Sequence, residues 1–180
     1  MRRIPGLLAA AAAMVLASTS QAHAAPTARQ KLATVQYLVG SWSCTHTVGT
    51  FSGTYSTTYA KPLGDLWLEQ TYDFPPKQMG DNEQAVHGEF FIGYEERRSA
   101  WVRFGAMSNG QYFANRMTET GGGNWSWIYV GFFGWHTPDK SGSDATFTKK
   151  SNVEYVIDGP TYPKDGTGEL VTEHHVCKKL

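Results

Sequence analysis

The chain is 180 residues long and carries 16 Lys and Arg against 16 Asp and Glu, so its formal net charge at pH 7 is +0. A balanced charge gives no electrostatic reason to bind nucleic acid or an anionic membrane surface, and we predict neither as a partner. The length suits one domain with a core of its own.

The N-terminal segment has the composition of a secretory signal peptide. Arg2 and Arg3 give it a positive start, residues 7–17 form an uncharged apolar run, and Ala22 and Ala24 are the small residues that a signal peptidase reads. The run is too short to span a bilayer. We therefore predict a signal peptide over residues 1–24, one domain over residues 25–180, and a secreted or periplasmic location. An N-terminal anchor helix is the alternative.

Two cysteines remain, Cys44 near one end of the domain and Cys177 near the other. An even pair in an oxidising compartment is most simply a disulfide. The alternative, two thiols that bind metal or act in redox chemistry, lacks a Cys-x-x-Cys motif. We predict a Cys44–Cys177 bond.

Apolar spacing predicts one helix, Thr27–Tyr37, which ends before Gly40. The rest of the chain alternates short β-rich runs with turn residues such as Asn109-Gly110, the pattern of a sandwich or barrel. About ten strands are predicted: Ser41–Val48, Gly53–Ala60, Trp67–Phe74, Ala85–Glu95, Ala100–Met107, Gln111–Glu119, Asn124–Phe133, Ser143–Lys150, Asn152–Asp158 and Leu170–Lys178.

The positions of the cysteines predict how this sheet closes. Cys44 lies in the first predicted strand and Cys177 in the last, so a bond between them joins the two edges of the sheet. We predict an all-β protein, a closed antiparallel up-and-down barrel of about ten strands with one short N-terminal helix. If the two cysteines lie directly opposite each other, His46 falls opposite His175 on the same face.

The segment Leu38–Cys44, with Gly40 and Trp42, resembles the start of lipocalin-like (calycin) barrels, in which a short helix precedes a Gly-x-Trp motif. With residues 65–68, 92–95 and 101–102, the chain looks like a family of secreted bacterial proteins of this superfold. The resemblance implies a closed barrel, a Trp42 that packs across its base, and an interior able to hold a small apolar molecule. It implies no reaction, because one fold hosts many functions.

A distant class of this superfold, the nitrobindins, binds haem through a histidine on the last strand. His174 and His175 stand in a comparable place here, and strand alternation allows only one of them to face inward. The predicted disulfide and signal peptide depart from that intracellular class. We therefore predict no cofactor and keep haem as an alternative.

Aromatic residues form the most prominent candidate site. Trp125, Trp127, Tyr129 and Phe133 share one predicted strand face, and Trp101 and Tyr112 add to them. They either fill the core or form a stacking wall for a flat or apolar ligand.

Charged and polar residues complete the candidate list. Arg103 and Arg116 lie on adjacent predicted strands. If either points inward, it would bind a ligand carboxylate; the alternative is that both lie on the solvent face. Glu89, on the neighbouring strand, is the expected partner if the arginines have a structural role. His46 and His175, with Glu173 as a third ligand, would suit zinc, copper or haem iron. For this pair we favour two hydrogen-bonded histidines beside a disulfide, and no metal.

Sequence motifs of the common enzyme classes are missing, among them Gly-x-Ser-x-Gly, a phosphate-binding glycine loop and His-Glu-x-x-His. The function we predict is non-covalent binding of a small, mostly apolar ligand inside the barrel. The predicted ligand-binding residues are Trp42, His46, Trp101, Arg103, Arg116, Trp125, Trp127 and His175. The alternatives are a haem-binding or isomerase-type enzyme that uses an interior histidine, and a structural or interaction domain with a filled core.

Overall fold

A computed structural model describes residues 25–78, 83–133, 145–161 and 171–180, with the side chains of residues 128–133 and 161 left aside. The predicted signal peptide, residues 1–24, lies outside the described residues. So do the predicted strand starts at Ser143 and Leu170 and the side chains of Tyr129 and Phe133.

The chain enters the domain through a short helix, α1 (Ala28–Thr34), followed by a 3-10 turn over Gln36–Leu38. Thr27 caps α1 in a reciprocal capping box with Gln30, which satisfies donors of the first turn. The predicted helix is therefore present but divided at Val35, where the backbone leaves helical geometry. With α1 only seven residues long, the described part of the protein has no helix with the length and apolarity to cross a bilayer.

Ten antiparallel strands follow and close into a barrel, which confirms the predicted fold class. Each strand pairs with its neighbours in sequence, and β1 pairs with β10 to complete the ring. The strands are β1 (Gly40–Val48), β2 (Phe51–Ala60), β3 (Trp67–Phe74), β4 (Val86–Glu95), β5 (Ala100–Met107), β6 (Tyr112–Gly121), β7 (Asn124–Phe133), β8 (Ala145–Lys149), β9 (Glu154–Thr161) and β10 (Val171–Lys179).

The seam between β1 and β10 has the predicted register. Cys44 lies opposite Cys177 and is bonded to it, and His46 lies opposite His175. Because side chains alternate along a strand, these two pairs point to the same face of the sheet. The prediction drawn from the two cysteines is confirmed.

Trp42 is buried at one end of the barrel, called the base. At the base, where β1 begins and β10 ends, Trp42 is fully buried and its indole N–H donates to the carbonyl of Leu38 at 2.7 Å. Trp42 also packs on Tyr155, with ring centroids 4.8 Å apart. The opposite end, called the rim below, is where β1 ends and β10 begins.

Candidate functional site

The barrel interior contains two groups of polar side chains. One, called the arginine cluster, consists of Arg103 with Gln70, Tyr72 and Asn115. The other, the histidine cluster, consists of His46, Glu173 and His175 and lies on the seam towards the rim.

Arg103 points into the barrel from β5. Its side chain reaches Gln70 and Tyr72 on β3, past the intervening strand β4, and such a contact is possible only across the inner face. It shares that face with Trp101, two residues earlier, which is also buried. Of the two orientations that the sequence left open for Arg103, inward or in solvent, the structure has the inward one.

Three neutral acceptors hold the Arg103 guanidinium. Nε donates to Oε1 of Gln70 at 3.1 Å, Nη1 to Oδ1 of Asn115 at 3.0 Å, and Nη2 to the hydroxyl of Tyr72 at 3.2 Å. Arg103 is only 6% exposed, and no described acidic side chain forms an ion pair with it. Burial of an ion without a counter-ion is costly, so this cation is a place where an anion is favoured.

Aromatic rings surround the same guanidinium. Its central carbon lies 4.0 Å from the ring centre of Phe90, 5.6 Å from that of Tyr72 and 5.5 Å from that of Trp127. The ring faces stabilise the cation in part but supply no negative charge. The site therefore combines apolar walls with one positive group, which is the composition of a pocket that orients an amphipathic ligand.

Several donors in this region are buried without a hydrogen-bond partner among the residues that the structure describes. They include Nδ2 of Asn115 and the indole N–H of Trp127, together with those of Trp101 and Trp125. Buried donors are normally satisfied, so each unpaired one marks a position where an acceptor is expected. The arginine cluster is thus rich in donors and poor in acceptors.

Three of the predicted aromatic residues, Trp101, Trp125 and Trp127, belong to one cluster of contacting rings. Trp101 meets Trp125, and Trp125 and Trp127 both meet Phe147, with centroid distances of 5.5, 4.9 and 6.0 Å. Trp101, Trp125 and Trp127 are all buried, whereas Tyr112 is exposed.

Arg116 does not join the interior. It is exposed, while its neighbours Asn115 and Met117 are buried, so β6 turns Arg116 to the outer face. Of the two arginines, only Arg103 has the inward orientation, and Arg116 has the solvent-facing one. Glu89, the proposed structural partner, is also exposed and instead contacts His87 at 3.4 Å.

The histidine cluster brings together three candidate residues on the seam. Oε1 of Glu173 lies 3.0 Å from Nε2 of His175 and 3.7 Å from Nδ1 of His46. The two imidazole rings stack with centroids 5.6 Å apart. His175, not His174, is the inward histidine of β10; His174 pairs with Asp158 instead.

Each imidazole of this cluster has a further partner on its other nitrogen. Nε2 of His46 lies 2.6 Å from the carbonyl oxygen of Gln78, and Nδ1 of His175 lies 3.0 Å from the hydroxyl of Tyr55. Gly53 lies opposite His46 in the β1–β2 register and leaves room for the ring, because a Cβ there would stand 2.5 Å from Nε2.

The contacts within the histidine cluster lower the pKa of Glu173 and raise that of His46. Burial raises the pKa of Glu173, but its hydrogen bond with His175, its contact with His46 and the charges of the two imidazoles outweigh burial and lower that pKa to about 2. Burial lowers the pKa of His46, yet the contacts with Glu173 and the Gln78 carbonyl leave it above its usual value. Glu173 is therefore a carboxylate at neutral pH.

Three buried tyrosines of the interior, Tyr55, Tyr59 and Tyr155, were missed by sequence reasoning. Tyr59 bonds to Gln70 at 2.6 Å and to Tyr155 at 3.2 Å. Burial raises the pKa of Tyr55, Tyr59 and Tyr155 well above the usual value, so all three are neutral hydroxyls. For Tyr55 and Tyr59 the available signal was their even spacing along β2, which places both on one strand face.

Comparisons with known proteins bear on the fold. No family model matches the chain, and no curated protein matches it. The chain is similar to the crystal structure of Rv2717c from M. tuberculosis, with a TM-score of 0.58 and 13% identity over 83% of this chain and 96% of that one. At this identity the likeness shows a shared fold only, so membership of the lipocalin or nitrobindin families stays a prediction.

Proposed function

We propose that the protein, after export, binds a small, mostly apolar molecule inside its barrel, and that this molecule carries a carboxylate or similar anionic group. Arg103 receives the anionic group, and the aromatic side chains around it receive the apolar body. A closed barrel and a disulfide suited to an oxidising compartment are the framework for this function.

The observation that carries the proposal is the position of Arg103. It is buried among aromatic rings, bonded to three neutral acceptors, and without a described acidic partner. A guanidinium has five N–H donors, of which three are used here. A carboxylate would supply both the missing charge and acceptors for the remaining donors.

The unpaired donors nearby extend the same chemistry. Nδ2 of Asn115 and the indole N–H of Trp127 are buried and have no acceptor in the described part of the chain, and both side chains lie next to Arg103. Affinity for the apolar part would come from removing its surface from water, at about 25 cal/mol per Å². The anionic group would fix the orientation rather than supply most of the binding energy.

The test compares two probes that differ in charge. Dodecanoic acid and dodecan-1-ol are titrated into the purified protein, and binding is followed by quenching of tryptophan fluorescence and by native mass spectrometry. We expect the acid to bind more tightly, and Arg103→Gln to weaken acid binding about tenfold or more while changing alcohol binding little. Arg116→Gln, on the outer face, is the matched control and should leave both unchanged.

Three outcomes would overturn the proposal. The first is that the protein takes up neither probe, as expected for a core already filled by side chains. The second is that Arg103→Gln weakens acid and alcohol binding alike, and the third is that Arg116→Gln weakens acid binding as much as Arg103→Gln does. Circular dichroism of each variant confirms that the comparison is made between folded proteins.

Haem, the cofactor that the nitrobindin resemblance implies, fits the described residues poorly. An iron bound at Nε2 of His175 needs that atom free and a flat space in front of it. Here Oε1 of Glu173 lies 3.0 Å from that nitrogen and the His46 ring stacks alongside. The described residues therefore do not support haem chemistry, and no described contact specifically favours an isomerase.

A further inference from the structure

We propose that His46, Glu173 and His175 form a binding site for one divalent transition-metal ion, with Nδ1 of His46, Nε2 of His175 and a carboxylate oxygen of Glu173 as ligands. The site is separate from the arginine cluster, and neither proposal depends on the other.

The three ligand atoms already converge. All lie within 4.8 Å of one another, with Glu173 Oε1 3.0 Å from His175 Nε2 and 3.7 Å from His46 Nδ1. Ligand atoms in a tetrahedral zinc site, each about 2.1 Å from the metal, are about 3.4 Å apart. Small side-chain adjustments would therefore bring these atoms to coordinating distance.

His46 supplies an independent observation that points to a ligand. The residue is only 4% exposed, and its Nδ1 is buried without a hydrogen-bond partner among the described residues. Its Nε2 faces the carbonyl of Gln78 at 2.6 Å, and a carbonyl only accepts, so Nε2 must carry the hydrogen. In the neutral imidazole, Nδ1 then presents a lone pair toward Glu173 and His175.

The surrounding contacts are those that hold metal ligands in place. Histidine ligands usually donate their second N–H to a carbonyl or another acceptor, which fixes the tautomer and the ring orientation. The Gln78 carbonyl serves His46 in this way, and the Tyr55 hydroxyl, 3.0 Å from Nδ1 of His175, serves the other imidazole. The rings of Phe51 and Phe74 flank His46 edge-on and limit its rotation.

Charge and ligand type define the class of ion. Two neutral imidazoles and one carboxylate match zinc and the related divalent ions, whereas calcium and magnesium prefer all-oxygen sites. Three protein ligands leave at least one coordination position for water or another molecule. The proposed site is thus of the open kind.

The test uses Zn²⁺ and Co²⁺ on protein prepared without a histidine tag and stripped with a chelator. We expect calorimetry to give one Zn²⁺ per chain. Bound Co²⁺ should show a visible absorption band typical of a low coordination number. Glu173→Gln, which keeps the side-chain volume, should lower Zn²⁺ affinity at least a hundredfold. Tyr55→Phe should lower it about tenfold to a hundredfold, because it removes the partner of His175.

The controls separate this site from surface binding and from the proposed function. His174→Gln changes the outward neighbour on β10, and His87→Gln removes a surface histidine beside two carboxylates; both should bind Zn²⁺ as the wild type does. Arg103→Gln should also keep Zn²⁺ binding. No stoichiometric Zn²⁺ binding by the folded wild type would overturn the proposal. Unchanged affinity in Glu173→Gln, or its loss in His174→Gln or His87→Gln, would do so as well.

Discussion

His46 on β1 and His175 on β10 lie directly opposite each other across the seam that closes the barrel, two residues from the pair formed by Cys44 and Cys177. Their rings stack with an interplanar angle of 24°. Because a strand repeats every two residues, the bond between the cysteines also fixes which side chains meet at the histidine cluster. The covalent closure of the fold and the geometry of the candidate metal ligands are therefore linked.

Removal of the disulfide should destabilise the protein strongly. The bond joins residues 133 positions apart, and loop-closure entropy of that size corresponds to about 5 kcal/mol. We expect Cys44→Ala with Cys177→Ala to lower the free energy of unfolding by about that amount, measured by urea denaturation at pH 7. Alanine avoids burying new hydroxyl groups. Equal unfolding midpoints for the double variant and the oxidised wild type would contradict this expectation.

A methyl group at position 53 should disturb the histidine cluster. A Cβ there would lie 2.5 Å from Nε2 of His46 and 2.6 Å from the carbonyl oxygen of Gln78. We expect Gly53→Ala to cost about 1–3 kcal/mol of stability and to weaken Zn²⁺ binding, because the ring must move. Ser52→Ala, at the exposed neighbouring position, is the control. Wild-type stability together with an unchanged His46 NMR spectrum in Gly53→Ala would show that the close approach is unimportant.

An internal counter-ion for Arg103 should compete with an anionic ligand. Oδ1 of Asn115 already accepts from Nη1 of Arg103 at 3.0 Å, so Asn115→Asp places a carboxylate at that position. We expect dodecanoic acid to bind about tenfold or more weakly, while the ligand-free protein gains about 1 kcal/mol or more of stability at pH 7. Asn152→Asp, at an exposed position, should change neither quantity. Acid binding that is unaffected by Asn115→Asp would argue against Arg103 as the anchor.

His87 on the outer face should titrate above its usual range. Its hydrogen bond with Asp73, at 2.7 Å, is the largest cause of a raised pKa, and the weaker contact with Glu89 adds to it. The stabilisation from this pairing is therefore full below about pH 6.5 and is lost as the pH rises through the higher folded-state pKa. NMR titration should show Asp73→Asn lowering the pKa of His87 more than Glu89→Gln does. The reverse order, or a wild-type pKa at 6.5 or below, would be inconsistent with the structure.

The seam between β1 and β10 could be predicted from the sequence. The two cysteines fix its register, and the two-residue period of a strand then fixes which face of the sheet each side chain points to. Whether each arginine points inward could not be predicted, since this depends on which residues of its strand lie on the inner face. Arg103 lies on the same strand face as Trp101, whose apolar side chain indicates the inside. Arg116 lies on the opposite face from Asn115, and the buried residue of these two is the polar Asn115. Polarity alone therefore does not indicate the inner face of β6. The pairing of β6 with β7 also shifts register between Ala114 and Asn115, which no local pattern indicates.

Several interior hydrogen bonds could not be predicted from the sequence either, because they join residues that do not lie on neighbouring strands of the sheet. Gln70 and Tyr72 belong to β3, while Arg103 belongs to β5, and only the closed barrel brings them together. Gln78 is a further example, because a backbone carbonyl four residues after the end of β3 becomes the partner of His46 on β1. Such partners are defined by curvature and closure rather than by sequence spacing.

The most direct measurement is a crystal structure of the protein grown with dodecanoic acid. The carboxylate is expected inside the barrel, within hydrogen-bonding distance of the Arg103 guanidinium, with the alkyl chain against the surrounding aromatic rings. An interior filled by the protein's own side chains, with the acid absent or bound only on the outer face, would contradict the proposed function.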